Sequence, residues 1–264
     1  MTAMLTLPRR TSAAVAIVLA LGLSRTNTVV AQVPSMQLGG ASSDAAARPT
    51  APDAGPLADL PLIETRAAAG PLLVVLLSGD GGWAPADKSL AAAFAGHNVA
   101  VVGFNSPSYL ARARTPDEAS HDLERILQHY PGVWNRQRVI IVGYSRGADI
   151  APFMLSRLPV DLRKRVALAV LLGPWEWASF KYHFIDIMRN VHRNDDLPVG
   201  AEVEKLRGMP VLCVYGSGDQ ASICRSLGQA GLARVVLRDG GHRVGGNEGP
   251  ALVDTILAAL SQPR

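Results

Sequence analysis

A serine, an aspartate and a histidine that could share a proton occur in this chain in one informative order. Ser145 stands in "IIVGYSRGAD", between Gly143 and Gly147 and directly after an apolar run. A serine hydroxyl is a weak nucleophile until a base takes its proton. Glycines two positions to either side allow a strand to turn sharply into a helix, leaving the serine to project above the sheet as a nucleophile elbow. The spacing alone does not decide the matter. At average glycine and serine usage it arises by chance in about one chain in ten of this length.

An elbow makes three further demands in chain order. A loop that can hold an oxyanion must follow an earlier strand. "LLSGDGGW", after "LLVV", supplies it. The backbone N–H of Asp80, or of Gly79 beside it, would join that of Arg146 in binding the negative oxygen. A phosphate-binding loop is discounted, because no Gly-Lys-Ser/Thr follows. An acid must come after a late strand, and Asp219 closes "VLCVYGSGD". Asp195 and Asp196 lie in an irregular stretch, and Asp239 is too close to the candidate histidine. That histidine must follow the last strand, where only His242, in "RDGGHRVGG", stands. His97, His121 and His129 precede the elbow in or beside predicted helices, and His183 and His192 lie in the irregular stretch. His242 would take the Ser145 proton and return it to the leaving group, with Asp219 orienting the ring. The reaction class is ester hydrolysis through an acyl-serine. No His-x-x-x-His or Cys-x-x-Cys pair suggests a metal, and no cofactor is implied.

These residues need a sheet to carry them. "PLLVVLL", "NVAVVGF", "RVIIVGY", "RVALAVLL", "MPVLCVY" and "ARVVL" are apolar runs, and helical stretches separate most of them. Continuous rather than alternating apolarity fits strands buried on both faces. The expected fold is α/β of the hydrolase kind, a mostly parallel central sheet with helices on both faces. The alternation breaks over residues 174–209. This insertion holds Trp175 and Trp177, Phe180, Tyr182 and Phe184 among basic residues. It reads as a lid or substrate wall, or as ordinary packing of a peripheral helix.

The N-terminal part reads differently. Arg9 and Arg10 precede an apolar run from Thr11 to Leu23, and small residues end at Ala31. That is the layout of a signal peptide over residues 1–31, with retention as an anchor the other reading. Residues 32–57 are rich in Ala, Ser, Pro and Gly and read as a flexible linker to a domain spanning 58–264. Without the leader, Lys plus Arg falls from 26 to 23 against 22 Asp plus Glu. That near-neutral balance, with no basic tract, excludes a nucleic-acid partner. The expected location is periplasmic. In that oxidising compartment Cys213 and Cys224 are expected to form a disulfide. They bracket Asp219, so the bridge would pin the acid loop.

"LLSGDGGW", "GYSRGADIAPF", "CVYGSGDQASIC" and "GGHRVGG" together resemble the bacterial virulence proteins VirJ and AcvB, from about Leu72 to the C-terminus. "SGDGGW" is the most specific of these, since other hydrolases usually carry His-Gly at this loop. Ser145, Asp219 and His242 match the family's catalytic positions. The resemblance implies an exported α/β-hydrolase that cleaves aminoacylated phosphatidylglycerol, above all the lysyl ester, at the membrane surface. It also implies a link with type IV secretion components. For such a substrate Asp80 is a candidate partner of the lysyl ammonium and Asp149 a weaker one; Asp80 equally reads as a turn former, and Asp149 as a helix N-terminal acid favoured by the dipole. Arg146 would meet the lipid phosphate or simply be solvated, and the insertion would rest on the membrane. Two other functions fit the same residues. One is a generic carboxylesterase or lipase. The other is a non-catalytic periplasmic factor of type IV secretion.

Overall fold

The structure is a computed structural model and describes residues 55–188, 191–242 and 249–261. The expected signal peptide, and the expected linker up to residue 54, lie outside the described residues.

Among the described residues the first elements are β1 (Leu62–Thr65), β2 (Leu72–Leu77) and α1 (Pro85–Gly96). β3 (Ala100–Phe104), α2 (Ser106–Leu110) and α3 (Pro116–Val133) follow. Next come β4 (Arg138–Tyr144), α4 (Arg146–Ser156), α5 (Val160–Arg165) and β5 (Val166–Leu172). A segment with β6 (Trp177–Ala178), a 3-10 helix (Phe184–Ile187), β7 (Leu197–Pro198) and α6 (Val199–Glu204) leads to β8 (Val211–Gly216). The chain ends with α7 (Cys224–Gln229), β9 (Arg234–Arg238) and α8 (Gly249–Leu260). The main sheet has the order β1-β3-β2-β4-β5-β8-β9 and is parallel apart from β1, which pairs antiparallel with β3.

The apolar runs explain the layering. Successive strand residues point to opposite faces. In β2, Leu73, Val75 and Leu77 enter a core with Leu123 and Ile126 of α3 and Ile150 and Met154 of α4. Val74 and Leu76 enter a second core with Leu90 and Phe94 of α1 and Leu252 and Ile256 of α8. β4 divides in the same way, Val139 and Ile141 against Ile140 and Val142. A run apolar at every position therefore needs helices above and below.

Two details depart from the sequence expectations. β1 was not anticipated, and the packed chain begins earlier than residue 58. Leu57 is buried against the first core, and an Arg125 guanidinium N–H donates to the Pro56 carbonyl at 2.8 Å. The apolar Leu57 side chain is what draws the end of the expected linker onto α3. Between β5 and β8, β6 and β7 form a small antiparallel pair, and α6 packs on α4 with Val199 and Val203 buried.

Candidate active site

The loops after β2, β4, β8 and β9 leave the same edge of the sheet, because these strands run parallel. In open α/β sheets that carboxyl edge is where ligands bind. Ser145 turns the chain from β4 into α4 with φ 51° and ψ −117°. A non-glycine residue with positive φ is strained, and such strain persists only where the surroundings impose it. Here the Ser145 N–H donates to the Leu172 carbonyl at 2.9 Å. The flanking glycines are sterically required. A Cβ at Gly143 would lie 2.6 Å from the Ala148 nitrogen, and one at Gly147 would lie 2.2 Å from the Leu77 carbonyl oxygen.

The structure brings the three expected residues together. Ser145 Oγ lies 2.8 Å from His242 Nε2, and His242 Nδ1 lies 2.8 Å from Asp219 Oδ2. With the ring proton on Nδ1 facing the carboxylate, Nε2 is left to accept from the serine hydroxyl. Asp219 Oδ1 also accepts the Ala221 N–H. The acid loop is fastened to the histidine loop by backbone bonds, Ser217 N–H to the Arg238 carbonyl and Gly218 N–H to the Gly240 carbonyl. Below Asp219, a disulfide joins Cys213 of β8 to Cys224 of α7, with Cα atoms 5.4 Å apart. The Tyr144 ring stacks beside the His242 imidazole at 6.5 Å between centroids.

Gly79 adjoins the serine, since a Cβ there would stand 3.1 Å from Ser145 Cβ. The loop is held by Ser78, whose N–H donates to the Phe104 carbonyl and whose hydroxyl oxygen accepts the Ser106 N–H. Arg146 opens α4, and a first helical residue has no carbonyl four positions back for its N–H. The backbone placements of Gly79, Asp80 and Arg146 are therefore compatible with an oxyanion site between loop and elbow.

The side chains around that site correct three expectations. Arg146 neither meets solvent nor is free for a lipid phosphate. It is buried, with Nε donating to Asp80 Oδ1 at 3.1 Å and a terminal N–H donating to Asp186 Oδ2 at 2.7 Å. Asp80 is consequently engaged by this guanidinium rather than being an unpaired acceptor for a substrate ammonium. Asp149 is buried, and its Oδ1 accepts the Trp175 N–H at 2.7 Å, so it anchors the start of the insertion instead of facing a substrate. Burial pushes the Asp149 carboxyl up to about 7, against the pull of Arg146. For Arg146, burial opposes the charge, but Asp80, Asp149 and Asp186 outweigh it and hold the guanidinium above its usual range.

Beyond Arg146, Arg193 grips Asp186 through both carboxylate oxygens, and the Arg193 N–H donates to Asp196 Oδ2. Four buried or nearly buried carboxylates, Asp80, Asp149, Asp186 and Asp196, thus surround two guanidiniums beside the serine. Asp186 and Arg193 were not singled out from the sequence. The available signal was a lone acid within the apolar "HFIDIM".

Residues 71–263 match the family described as bacterial virulence protein (VirJ). The chain belongs to the VirJ family. This VirJ-family chain has the α/β-hydrolase fold. It superposes on MenH from S. aureus with a TM-score of 0.57 at 12% identity, over 76% of this chain and 97% of that one. Est1E from Butyrivibrio proteoclasticus, solved with ferulic acid bound, gives 0.55 at 13%, over 77% and 96%. The thioesterase domain from the curacin biosynthetic pathway gives 0.53 at 14%, over 75% and 94%. At these identities the likeness concerns the fold alone. No curated protein matches the VirJ-family chain in sequence.

Proposed function

We propose that this VirJ-family protein is an exported serine esterase that cleaves aminoacyl-phosphatidylglycerol through an acyl-serine. The observation that carries the reading is the hydrogen-bonded series Ser145–His242–Asp219 at the mouth of the elbow. His242 Nε2 takes the hydroxyl proton as Ser145 Oγ attacks the ester carbonyl. The oxygen that becomes negative faces the N–H of Arg146 and that of Asp80 or Gly79. The imidazolium returns its proton to the departing glycerol oxygen. A water then repeats the cycle and frees the amino acid. Asp219 stays ionised throughout and stabilises the charged ring.

Two observations support the finer substrate. Asp80, Asp186 and Asp196 against two guanidiniums leave an excess of negative charge beside Ser145, to which Asp149, raised to about 7, adds only as pH rises, and this favours a substrate carrying an ammonium group. The tip of the insertion exposes Phe184, Ile185 and Met188 next to the exposed Lys181, a combination suited to an anionic bilayer surface. The Cys213–Cys224 disulfide supports export to an oxidising compartment.

Labelling with a fluorophosphonate tests the chemistry. Ser145 is expected to be modified in the intact protein, and Ser145→Ala to remove the label. In the native host the Ser145→Ala strain is expected to accumulate aminoacyl-phosphatidylglycerol. An unchanged lipid profile alongside efficient labelling would leave the esterase and reject this substrate.

A further inference from the structure

We infer that Asp186, on the insertion, is a positioning residue that holds the two halves of the oxyanion site in register through Arg146. The inference rests on the acyl-serine reading above. One half of the site is the Gly79–Asp80 loop after β2. The other is the Arg146 N–H at the start of α4. Pairing of β2 with β4 ends at Leu77 and Gly143, and beyond it the Arg146 guanidinium ties the Asp80 loop to the start of α4 through Asp80 Oδ1 at 3.1 Å. The neighbouring Nη2 of the same guanidinium donates to Asp186 at 2.7 Å, and Asp186 is held in turn by both terminal nitrogens of Arg193 at 3.0 and 2.8 Å. The side chains of Arg146 and Asp186 are 3% and 2% exposed.

A guanidinium is planar and donates along fixed directions, so two carboxylates on two of its nitrogens determine its orientation. Without the Asp186 carboxylate, Arg146 keeps Asp80 but loses the contact that sets its angle, and the Asp80 loop moves with it. An oxyanion site works because its donors are already in place when charge develops. A displacement of about 1 Å can cost about a hundredfold in rate. The insertion therefore does more than cover the substrate. It must be seated before the serine has a competent partner for the developing negative charge.

A purely structural ion pair would behave differently, and the molecule contains one for comparison. Glu202 of α6 has a side chain only 5% exposed and binds Arg157, Lys205 and the Ser156 hydroxyl at the far end of α4. Asp186→Asn, Arg146→Gln, the double variant and Glu202→Gln would be assayed with a short-chain p-nitrophenyl ester, by fluorophosphonate labelling of Ser145 and by thermal melting. Asp186→Asn is expected to lower kcat about tenfold or more, with KM within about threefold of wild type. The acid limb of its pH profile should not move, because His242 and Asp219 are untouched. The double variant should be no slower than Arg146→Gln alone, since Asp186 acts through that side chain. Glu202→Gln should melt lower yet keep the wild-type kcat. Should Asp186→Asn fail to fold, Arg193→Gln, which loosens Asp186 from outside, is expected to lower kcat in the same direction. A kcat in the Asp186 or Arg193 variant equal to that of Glu202→Gln, or additive losses in the double variant, would overturn the inference. Wild-type protein that never labels at Ser145 would overturn both this inference and the esterase reading. Wild-type protein that labels while Asp186→Asn retains full kcat would overturn this inference alone.

Discussion

Asp87, in the first turn of α1 just beyond the oxyanion loop, keeps one carboxylate oxygen buried without a partner. Its Oδ2 accepts the Ala84 N–H at 3.1 Å, while Oδ1 has no donor. Burial is the main cause that pushes its carboxyl from 3.8 up to about 6. A raised carboxyl is protonated more readily in the folded state than in the unfolded one. The folded state therefore holds its full advantage below pH 3.8 and loses it as pH rises to about 6. Asp87→Asn keeps an acceptor for Ala84 and removes the buried charge. By equilibrium denaturation it is expected to raise stability by about 2 kcal/mol at pH 8 and to change it little at pH 4. Equal effects at both pH values would count against burial as the cause. At this same scale the sequence disclosed some roles and hid others. Ser145, Asp219 and His242 were legible because an elbow fixes their chain order. The Arg146 side chain was not, because its partner Asp186 lies 40 residues away in a stretch with no periodicity to place it. Asp149 misled for a related reason: an acid in a first helical turn gives no sign in sequence that it is buried and bound to the Trp175 N–H, 26 residues on.

Elements show the same division. Strands with uninterrupted apolar runs could be read directly, since few other arrangements bury every side chain. β1 could not. "LIET" is a partly buried edge strand, and its antiparallel pairing with β3 leaves no run to notice. α2 was hidden as well, because its start depends on Asn105 accepting the Ser108 N–H and on Ser78 meeting Ser106. The tryptophan of "SGDGGW" gains a physical reason here. The Trp83 ring packs against Gly103 of β3, where a Cβ would come within 2.4 Å of it. The acid loop depends on a covalent tie between elements. Cys213 and Cys224 are 11 residues apart and fasten β8 to α7 on either side of Asp219. Closing a loop of that size stabilises by about 2–3 kcal/mol in the chain-entropy account. Cys213→Ala/Cys224→Ala is expected to lower stability by roughly that amount. It should also slow Ser145 labelling, as Asp219 loses the loop that aims it at His242. Stability lost with labelling unchanged would make the disulfide a staple only.

At the scale of the whole molecule, the charge chain and the exposed tip belong to one short stretch. Asp186 turns inward to Arg146, while Phe184 on the same 3-10 helix is 74% exposed and Met188 just beyond it is 79% exposed. Among the described residues no helix is long and apolar enough to cross a membrane. The proposed lipid substrate requires contact with a bilayer surface, and this exposed apolar tip, adjoining Asp186 in the chain, is the candidate for it. Burying a Phe or Met side chain is worth about 1.5–3 kcal/mol, so losing two should reduce partitioning at least about tenfold. Phe184→Asp/Met188→Asp is therefore expected to weaken sedimentation with phosphatidylglycerol vesicles by that factor. Turnover of aminoacyl lipid should fall relative to turnover of a soluble p-nitrophenyl ester. Wild-type binding should also weaken with salt, because the attraction of the exposed Lys181 to an anionic surface is screened. If the double variant binds vesicles as well as the wild type, the tip is not the attachment surface, and the lipid must reach Ser145 from another side.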